Sequence, residues 1–91
     1  MVFDAGTSTG GQISAVADRI KAIEFHARSN NVNSVVVGRS DVTSANGREL
    51  VPGEAVAFNF GLVSKEGSVS FNVFYAIVQG DDKVDWTVIK E

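Results

Sequence analysis

The residues of this chain that could support catalysis or bind a metal are few and scattered. His26 is the single histidine and there is no cysteine, so the chain lacks the usual ligand set of a zinc site. A general base also needs a nucleophile or a substrate proton within hydrogen-bond reach, and no such group is evident beside His26 in the sequence. We therefore expect His26 to be a partly exposed packing residue on a strand.

Three acidic residues lie close together near the end of the chain. Asp81, Asp82 and Asp85 suggest calcium, but Lys83 lies among them. Their spacing matches no loop that supplies the six or more oxygen ligands that calcium requires. We interpret them as solvated charges of a turn.

Two further segments have structural explanations. Residues 6–11 are glycine-rich but lack the Lys-Ser/Thr of a phosphate-binding loop. Ser40 and Asp41 lie in a loop, where an aspartate at the start of a turn accepts hydrogen bonds from nearby amides. The sequence therefore predicts no enzyme, no metal and no cofactor.

Composition limits the class of protein. The 91 residues are 44% hydrophobic and 21% charged, with a net charge of −3, which is typical of one globular domain. The basic residues form no stripe that would indicate a nucleic-acid partner. No apolar run has the length of a membrane span, and the start lacks the regions of a signal peptide. We expect synthesis in a cytosol.

The first eleven residues differ in composition from the rest. Residues 4–11 are rich in glycine, serine and threonine, a composition typical of flexible segments, and they follow the apolar pair Val2 and Phe3. One interpretation is a frayed terminus. The other is a flexible arm over residues 1–11 whose apolar tip docks on a neighbouring subunit, with a single domain over residues 12–91.

Residues 30–60 are typical of short strands joined by tight turns. Residues 34–37, with β-branched valines at 35–37, predict a strand that ends at Gly38. Asn46-Gly47 predicts a hairpin with a primed turn, which needs positive φ at both residues. Pro52-Gly53 predicts a second tight turn, and residues 55–60 alternate as a half-buried strand does.

Four more segments have the pattern of strands. Residues 12–17 predict a weak edge strand, with a short helix over residues 14–20 as the alternative. Residues 20–27 fit a strand better than a helix because the segment is short. Residues 68–79 predict the longest strand, after a polar loop over 61–67. Residues 84–89 predict the closing strand.

These elements predict an all-β fold, a small antiparallel sandwich or barrel of seven or eight short strands. The expected core residues are apolar and lie on the inward faces of the strands: Ile23, Phe25, Val35, Val37, Leu50, Val56, Phe58, Phe71, Val73, Tyr75, Ile77 and Trp86. The opposite face of the longest strand is also apolar at Phe74, Ala76 and Val78, so the N-terminal segment or another subunit must cover it. Together with Val2 and Phe3, these three residues form the candidate interface.

Three segments of the chain resemble a family of small virion proteins of tailed bacteriophages. They are residues 21–31 (KAIEFHARSNN), residues 35–54 (VVVGRSDVTSANGRELVPGE) and residues 74–86 (FYAIVQGDDKVDW). The three segments contain 44 of the 91 residues, about half of the chain, and the middle segment is the most specific. It implies a β-sandwich structural component of the particle without catalytic activity.

Two classes of function follow from the resemblance. The first is a capsid decoration, or cement, protein on the capsid surface of the virion, a homo-oligomer, with a trimer expected, that binds the major capsid protein. The second is a tail or fibre module that binds a host surface glycan. Glycan sites commonly expose aromatic rings, and the chain has one Trp and one Tyr, so we favour decoration.

Overall fold

The computed structural model describes residues 2–60 and 67–90, in which the protein is all-β. The strands in chain order are β1 (Val2–Ser8), β2 (Gly11–Gln12), β3 (Arg19–Ala27), β4 (Val35–Gly38), β5 (Arg48–Leu50), β6 (Ala55–Asn59), β7 (Val69–Ser70), β8 (Tyr75–Ile77) and β9 (Val84–Lys90). One turn of 3₁₀ helix, Phe71–Val73, lies between β7 and β8. The all-β prediction is confirmed.

The strands form two antiparallel sheets that enclose one core. Sheet A has the order β1-β9-β3-β6, with β7 paired to one end of β3, and sheet B has the order β2-β8-β4-β5. The buried residues come from both sheets: Ile20, Ile23, Phe25, Ala27, Val35, Val37, Leu50, Phe60, Phe71, Phe74, Ala76, Val84 and Val88. Apolar side chains that alternate along the strands thus meet between the layers of a sandwich.

The first residues form an ordered strand and not a flexible arm. Residues of β1 pair with β9 over the full register from Val2–Lys90 to Ser8–Val84. Gly6 permits this pairing, because a Cβ atom there would lie 2.8 Å from Cε2 of the Trp86 indole. The arm predicted over residues 1–11 is therefore wrong for β1, since its backbone hydrogen bonds are made within the sheet.

The segment between β1 and β3 has little regular structure. The weak strand predicted over residues 12–17 is confined to β2, and residues 14–18 are irregular and not helical. Ile13 N donates to Phe74 O at 2.9 Å, which holds the start of this segment against sheet B. β3 follows this segment and corresponds to the strand predicted over residues 20–27. Its pairing with β9 has a bulge between Ile20 and Ala22.

The predicted longest strand is interrupted. Residues 71–73 form the 3₁₀ turn, and Phe71 N donates to Asp18 O at 2.8 Å. The turn breaks the alternation of the strand, so Phe71 and Phe74 both point into the core, followed by Ala76. Tyr75 and Ile77, which we expected in the core, are half-buried on the other face of β8.

The remaining predicted core residues divide into two groups. Ile23, Phe25, Val35, Val37, Leu50 and Phe71 are buried, as predicted. The others are partly buried and pack against that core: Val56, Phe58, Val73 and Trp86. The second group lies nearer the margins of the sandwich, so its side chains keep some contact with water.

One of the two predicted turns is present. Glu54 N donates to Val51 O at 2.9 Å, and Gly53 has φ +88°, which is the geometry of a type II turn with Pro52 and Gly53 at its centre. The primed turn predicted at Asn46-Gly47 is wrong, because neither residue has a positive φ. Residues 39–47 instead form a loop between β4, which ends at Gly38 as predicted, and β5.

Asn46 and Gly47 have other roles in that loop. The Asn46 side chain accepts a hydrogen bond from Thr43 N at 2.7 Å and donates one to Asp41 O at 3.1 Å. At Gly47 an added Cβ would lie 2.6 Å from Val42 Cγ2 and closer still to Val36 Cγ1. Glycine is required there by close packing and not by backbone conformation. Residues 61–66 of the predicted polar loop lie outside the described residues.

Candidate functional site

A polar cluster joins three segments at one end of sheet A. Arg28 Nε and Nη2 each donate to a different Asp85 oxygen at 3.0 Å, and the Thr7 hydroxyl donates to Asp85 Oδ1 at 2.7 Å. These hydrogen bonds stabilise the charged carboxylate, so they lower the pKa of Asp85, while the same ion pair raises the pKa of Arg28.

The chemistry open to this cluster is limited by its pairing. The exposed His26 lies on β3 opposite Asp85 of β9 in the sheet register. However, the Thr7 hydroxyl donates to the carboxylate and not to the imidazole, and a carboxylate paired with arginine is a weak base. The arrangement therefore ties β1, β9 and the end of β3 together, and nothing in it activates a nucleophile.

Asp82 holds two distant loops together. Its oxygens accept hydrogen bonds from the backbone amides of Val32 at 2.8 Å and Asn33 at 2.7 Å. Beside it, the Asn31 side chain donates to Lys83 O at 2.8 Å and accepts from Lys83 N at 2.9 Å. Asp82 is only 5% exposed. Our interpretation of the acidic residues as solvated charges is wrong for Asp82, and Asp85 is held in an ion pair.

We expect the hydrogen bonds of Asp82 to make the free energy of unfolding depend on pH. The amide hydrogen bonds lower the pKa of Asp82 below its ordinary value. Their contribution to the free energy of unfolding is therefore complete above the unfolded pKa of about 3.9 and is lost as pH falls through the folded pKa. Urea unfolding of Asp82→Asn at several pH values tests this. The variant is expected to be less stable than wild type at pH 7, with a difference that shrinks below pH about 4.

The control for this experiment is Asp81→Asn. It removes the same charge from the adjacent, exposed residue, so it separates the hydrogen bonds of Asp82 from a general change in net charge. An Asp82→Asn variant with the pH profile of the Asp81→Asn control would contradict the assignment.

A cleft of 740 Å³ opens between the sheets beside β6 and the 39–47 loop. Its floor is apolar and includes Phe58 and Phe74, and its rim carries Arg39, Asp41 and Arg48. The Arg39 guanidinium carbon lies 5.8 Å from the centre of the Phe74 ring, a cation–π geometry. Arg48 is paired with Glu54, with 4.0 Å between Nη2 and Oε2, so the cleft combines an apolar floor with a rim that carries both signs of charge.

Sequence reasoning missed this cleft. Its rim residues lie on a loop that we interpreted as a tight hairpin, and its floor includes Phe74, which we placed on an outer surface. The available signal was the pair of arginines, Arg39 and Arg48, that bracket the loop.

The outer face of sheet A carries apolar side chains beside the polar Thr87 and Glu24. Side chains of adjacent strands align there in register: Phe3, Ile89 and Ala22 form one row, and Ala5, Thr87, Glu24 and Ala57 form the next. Phe3 is 67% exposed. A depression of 250 Å³ lies between Phe3 and Ala57. We call this surface the outer face.

The predicted interface residues do not lie on one surface. Phe74 and Ala76 are buried and therefore not available to a partner, and Val78 is partly buried against the same core. Sheet A lies on the other side of this core, where Phe25 packs against Phe74 with 6.2 Å between ring centres. Phe3 is exposed on the outer face, and the side chain of Val2 lies outside the described residues.

Neither a metal site nor a membrane helix is found in the described ranges. No group of three or more His, Asp or Glu residues in 2–60 and 67–90 is arranged to hold a metal ion. Within the same ranges, no helix is long and apolar enough to cross a membrane.

Comparison of the chain with family models, curated proteins and solved structures found no match.

Proposed function

We propose that this protein is a structural component of a tailed-bacteriophage particle, a capsid decoration protein that acts by contact and not by catalysis. Its partners are the major capsid protein and copies of itself, with a trimer as the expected oligomer. It is made in the cytoplasm of the host bacterium and resides on the capsid surface. The assignment to a phage particle rests on the resemblance of residues 21–31, 35–54 and 74–86.

The observation that carries the proposal is the exposure of Phe3 on the outer face. Phe3 belongs to a strand paired along its whole length, so its ring is held at the surface by the fold. Ile89, Ala22 and Ala57 extend the apolar surface across the sheet. A contiguous apolar patch on a small domain commonly marks a contact with another protein, and we assign this one to the shell.

A decoration protein of this kind stabilises the shell by mass action. A partner that binds the assembled shell and not its separated subunits shifts the equilibrium toward the assembled state. The shell should therefore close without the protein and resist heat better once it is bound. No reactive group on the protein is needed for that effect.

The test is attachment of purified protein to preformed bare heads. We expect Thr87→Arg, which places a long charged side chain in the middle of the outer face, to lose attachment at least tenfold in apparent affinity. Thr9→Arg is the matched control, because Thr9 is also exposed but lies in the bend between β1 and β2. Deletion of residues 1–11 is unsuitable, since it would remove β1 and uncover β9.

Heating of decorated and bare heads completes the test. We expect heads carrying wild type or Thr9→Arg to rupture at a higher temperature than bare heads. Equal rupture temperatures, attachment of Thr87→Arg equal to that of wild type, or binding found only at the tail tip would overturn the decoration assignment. Binding at the tail tip would favour the glycan-binding module.

A further inference from the structure

We infer that copies of this chain join edge to edge, with β1 of one copy adding to β6 of the next so that sheet A continues across the contact. The occupant of the β6 edge is thus a second copy of the same chain. The inference concerns the isolated protein, so it stands or fails independently of binding to a shell.

The first support is the pairing of the two outer strands of sheet A. In the order β1-β9-β3-β6, each of β1 and β6 has one neighbouring strand among the described residues. Both are long for this protein, at seven and five residues. A strand at the edge of a sheet presents backbone N–H and C=O groups that can pair with another chain.

The composition of β6 strengthens this point. Its residues, Ala55–Asn59, include no lysine, no other charged residue and no proline. Charged side chains, prolines and bulges are the usual means by which natural proteins prevent pairing at an edge. The β6 edge has none of them, which is typical of an edge that is used.

Strand direction also suits the contact. Neighbouring strands of sheet A are all antiparallel, so β1 and β6 at its two edges run in opposite directions. A second copy related by a rotation about an axis along the strands brings its β1 antiparallel to β6. The alternation of strand direction in sheet A then continues across the contact.

The side chains of the two edges are complementary in size. On the outer face β1 carries the bulky Phe3, whereas β6 carries Ala55 and Ala57, and all three are exposed. A rotation about an axis along the strands keeps the rows of the outer face level, and paired strands place their outward residues side by side. Ala5 of one copy would therefore lie beside Ala57 of the next, and the Phe3 ring, in the row of Asn59, would reach Ala57 diagonally. The contact would cover only the flank of the Phe3 ring that faces the neighbouring strand, so its outward side would stay on the outer face.

Charge also acts on the inner side of the same contact. One inward residue of β1 is Asp4, whose side chain is 51% exposed although it lies 3.7 Å from Lys90 Nζ. The inner side of β6 borders the cleft, whose rim carries Arg39 and Arg48 against Asp41. Because Arg48 is already paired with Glu54 at 4.0 Å, the neighbour's Asp4 would have to lie nearer Arg39 than Asp41, so charge restricts the orientation of the contact.

The contact joins two different surfaces, and this determines the assembly. Repetition of such a contact about one axis closes into a ring. A ring of two copies would join their sheets A into an eight-stranded barrel, whose interior has room only for side chains, so it would leave no space for sheet B or would bury the exposed, charged Glu24 of the outer face. We therefore expect a closed ring, with a trimer as its smallest form.

The first measurement is the mass of the protein in solution by light scattering. Wild type is expected at three or more times the 9.7 kDa of the single chain, and Ala57→Lys at the mass of one chain. Thr87→Arg, on the outer face but away from both edges, is the control and is expected to keep the wild-type mass. A wild-type monomer or dimer, or an Ala57→Lys variant with the wild-type mass, would overturn the inference.

The second measurement identifies the two surfaces even if Ala57→Lys fails to fold. The chain has no cysteine, so Ala5→Cys, Ala55→Cys and Ala57→Cys each introduce a single thiol. Under oxidation, Ala5→Cys is expected to cross-link when mixed with at least one of the β6 variants, and no variant is expected to cross-link alone. Cross-linking of Ala5→Cys alone would indicate β1–β1 pairing, and of a β6 variant alone β6–β6 pairing, and either result would overturn the inference.

Discussion

Replacement of Phe71 by alanine is expected to lower the free energy of unfolding by about 3–5 kcal/mol. Phe71 is 2% exposed, and its ring packs edge to face against Trp86 with 5.1 Å between ring centres. The truncation removes this contact and leaves a cavity between the sheets. The loss is a large part of the stability of so small a domain, and urea unfolding measures it.

Phe3→Ala is the matched control for Phe71→Ala. It removes the same atoms from a side chain that is mostly exposed, so the expected loss is below about 1 kcal/mol. The sequence also predicted a core position for Phe58, but that ring is only partly buried, so we expect Phe58→Ala to fall between the two. Equal losses at Phe71 and Phe3 would contradict the assignment of Phe71 to the core.

Gly47→Val is expected to destabilise the protein by about 3 kcal/mol or more, at or beyond the upper end of what overpacking costs. The Cβ atom alone would overlap the side chains of Val36 and Val42, and Val36 is itself buried in β4. The backbone must therefore shift to accommodate the substitution. Thermal and urea unfolding of the variant measure the effect.

Two further variants identify the cause. Ser44→Val introduces the same side chain at an exposed position of the same loop and is expected to change stability by less than about 0.5 kcal/mol. If steric overlap is responsible, Val36→Ala combined with Gly47→Val is expected to cost less than the sum of the single changes. Strictly additive losses would show that the close approach to Val36 is not the cause.

The candidate site was predicted less well than the strands. Of the predicted interface residues, Phe3 lies on the outer face, whereas Phe74, Ala76 and Val78 belong to the interior. The prediction that the longest strand is covered on both sides is wrong, because Phe74 and Ala76 are buried whereas Tyr75 and Ile77 on the other face are only half-buried. Which side faced outward depended on the 3₁₀ turn at Phe71–Val73, whose hydrogen bond to Asp18 joins residues far apart in the chain.

Local pattern alone determined several elements of this protein. The alternation of apolar residues predicted β3, β6 and β9, and Pro52-Gly53 predicted the turn before β6. These features depend on φ preferences and on side-chain period, which act between near neighbours in sequence. These elements could therefore be predicted without knowledge of what packs against them.

The tertiary structure decided the features that depend on distant partners. β1 pairs with β9, which lies at the other end of the described chain. Asp82 accepts a hydrogen bond from the backbone amide of Val32, which lies 50 residues away in sequence. Gly47 is required because Val36 and Val42 pack against it. β1 is a strand because β9 supplies partners for its backbone hydrogen bonds, and Asp82 is buried because the amides of Val32 and Asn33 donate to it. Local composition does not predict these partners, because they lie far away in the sequence.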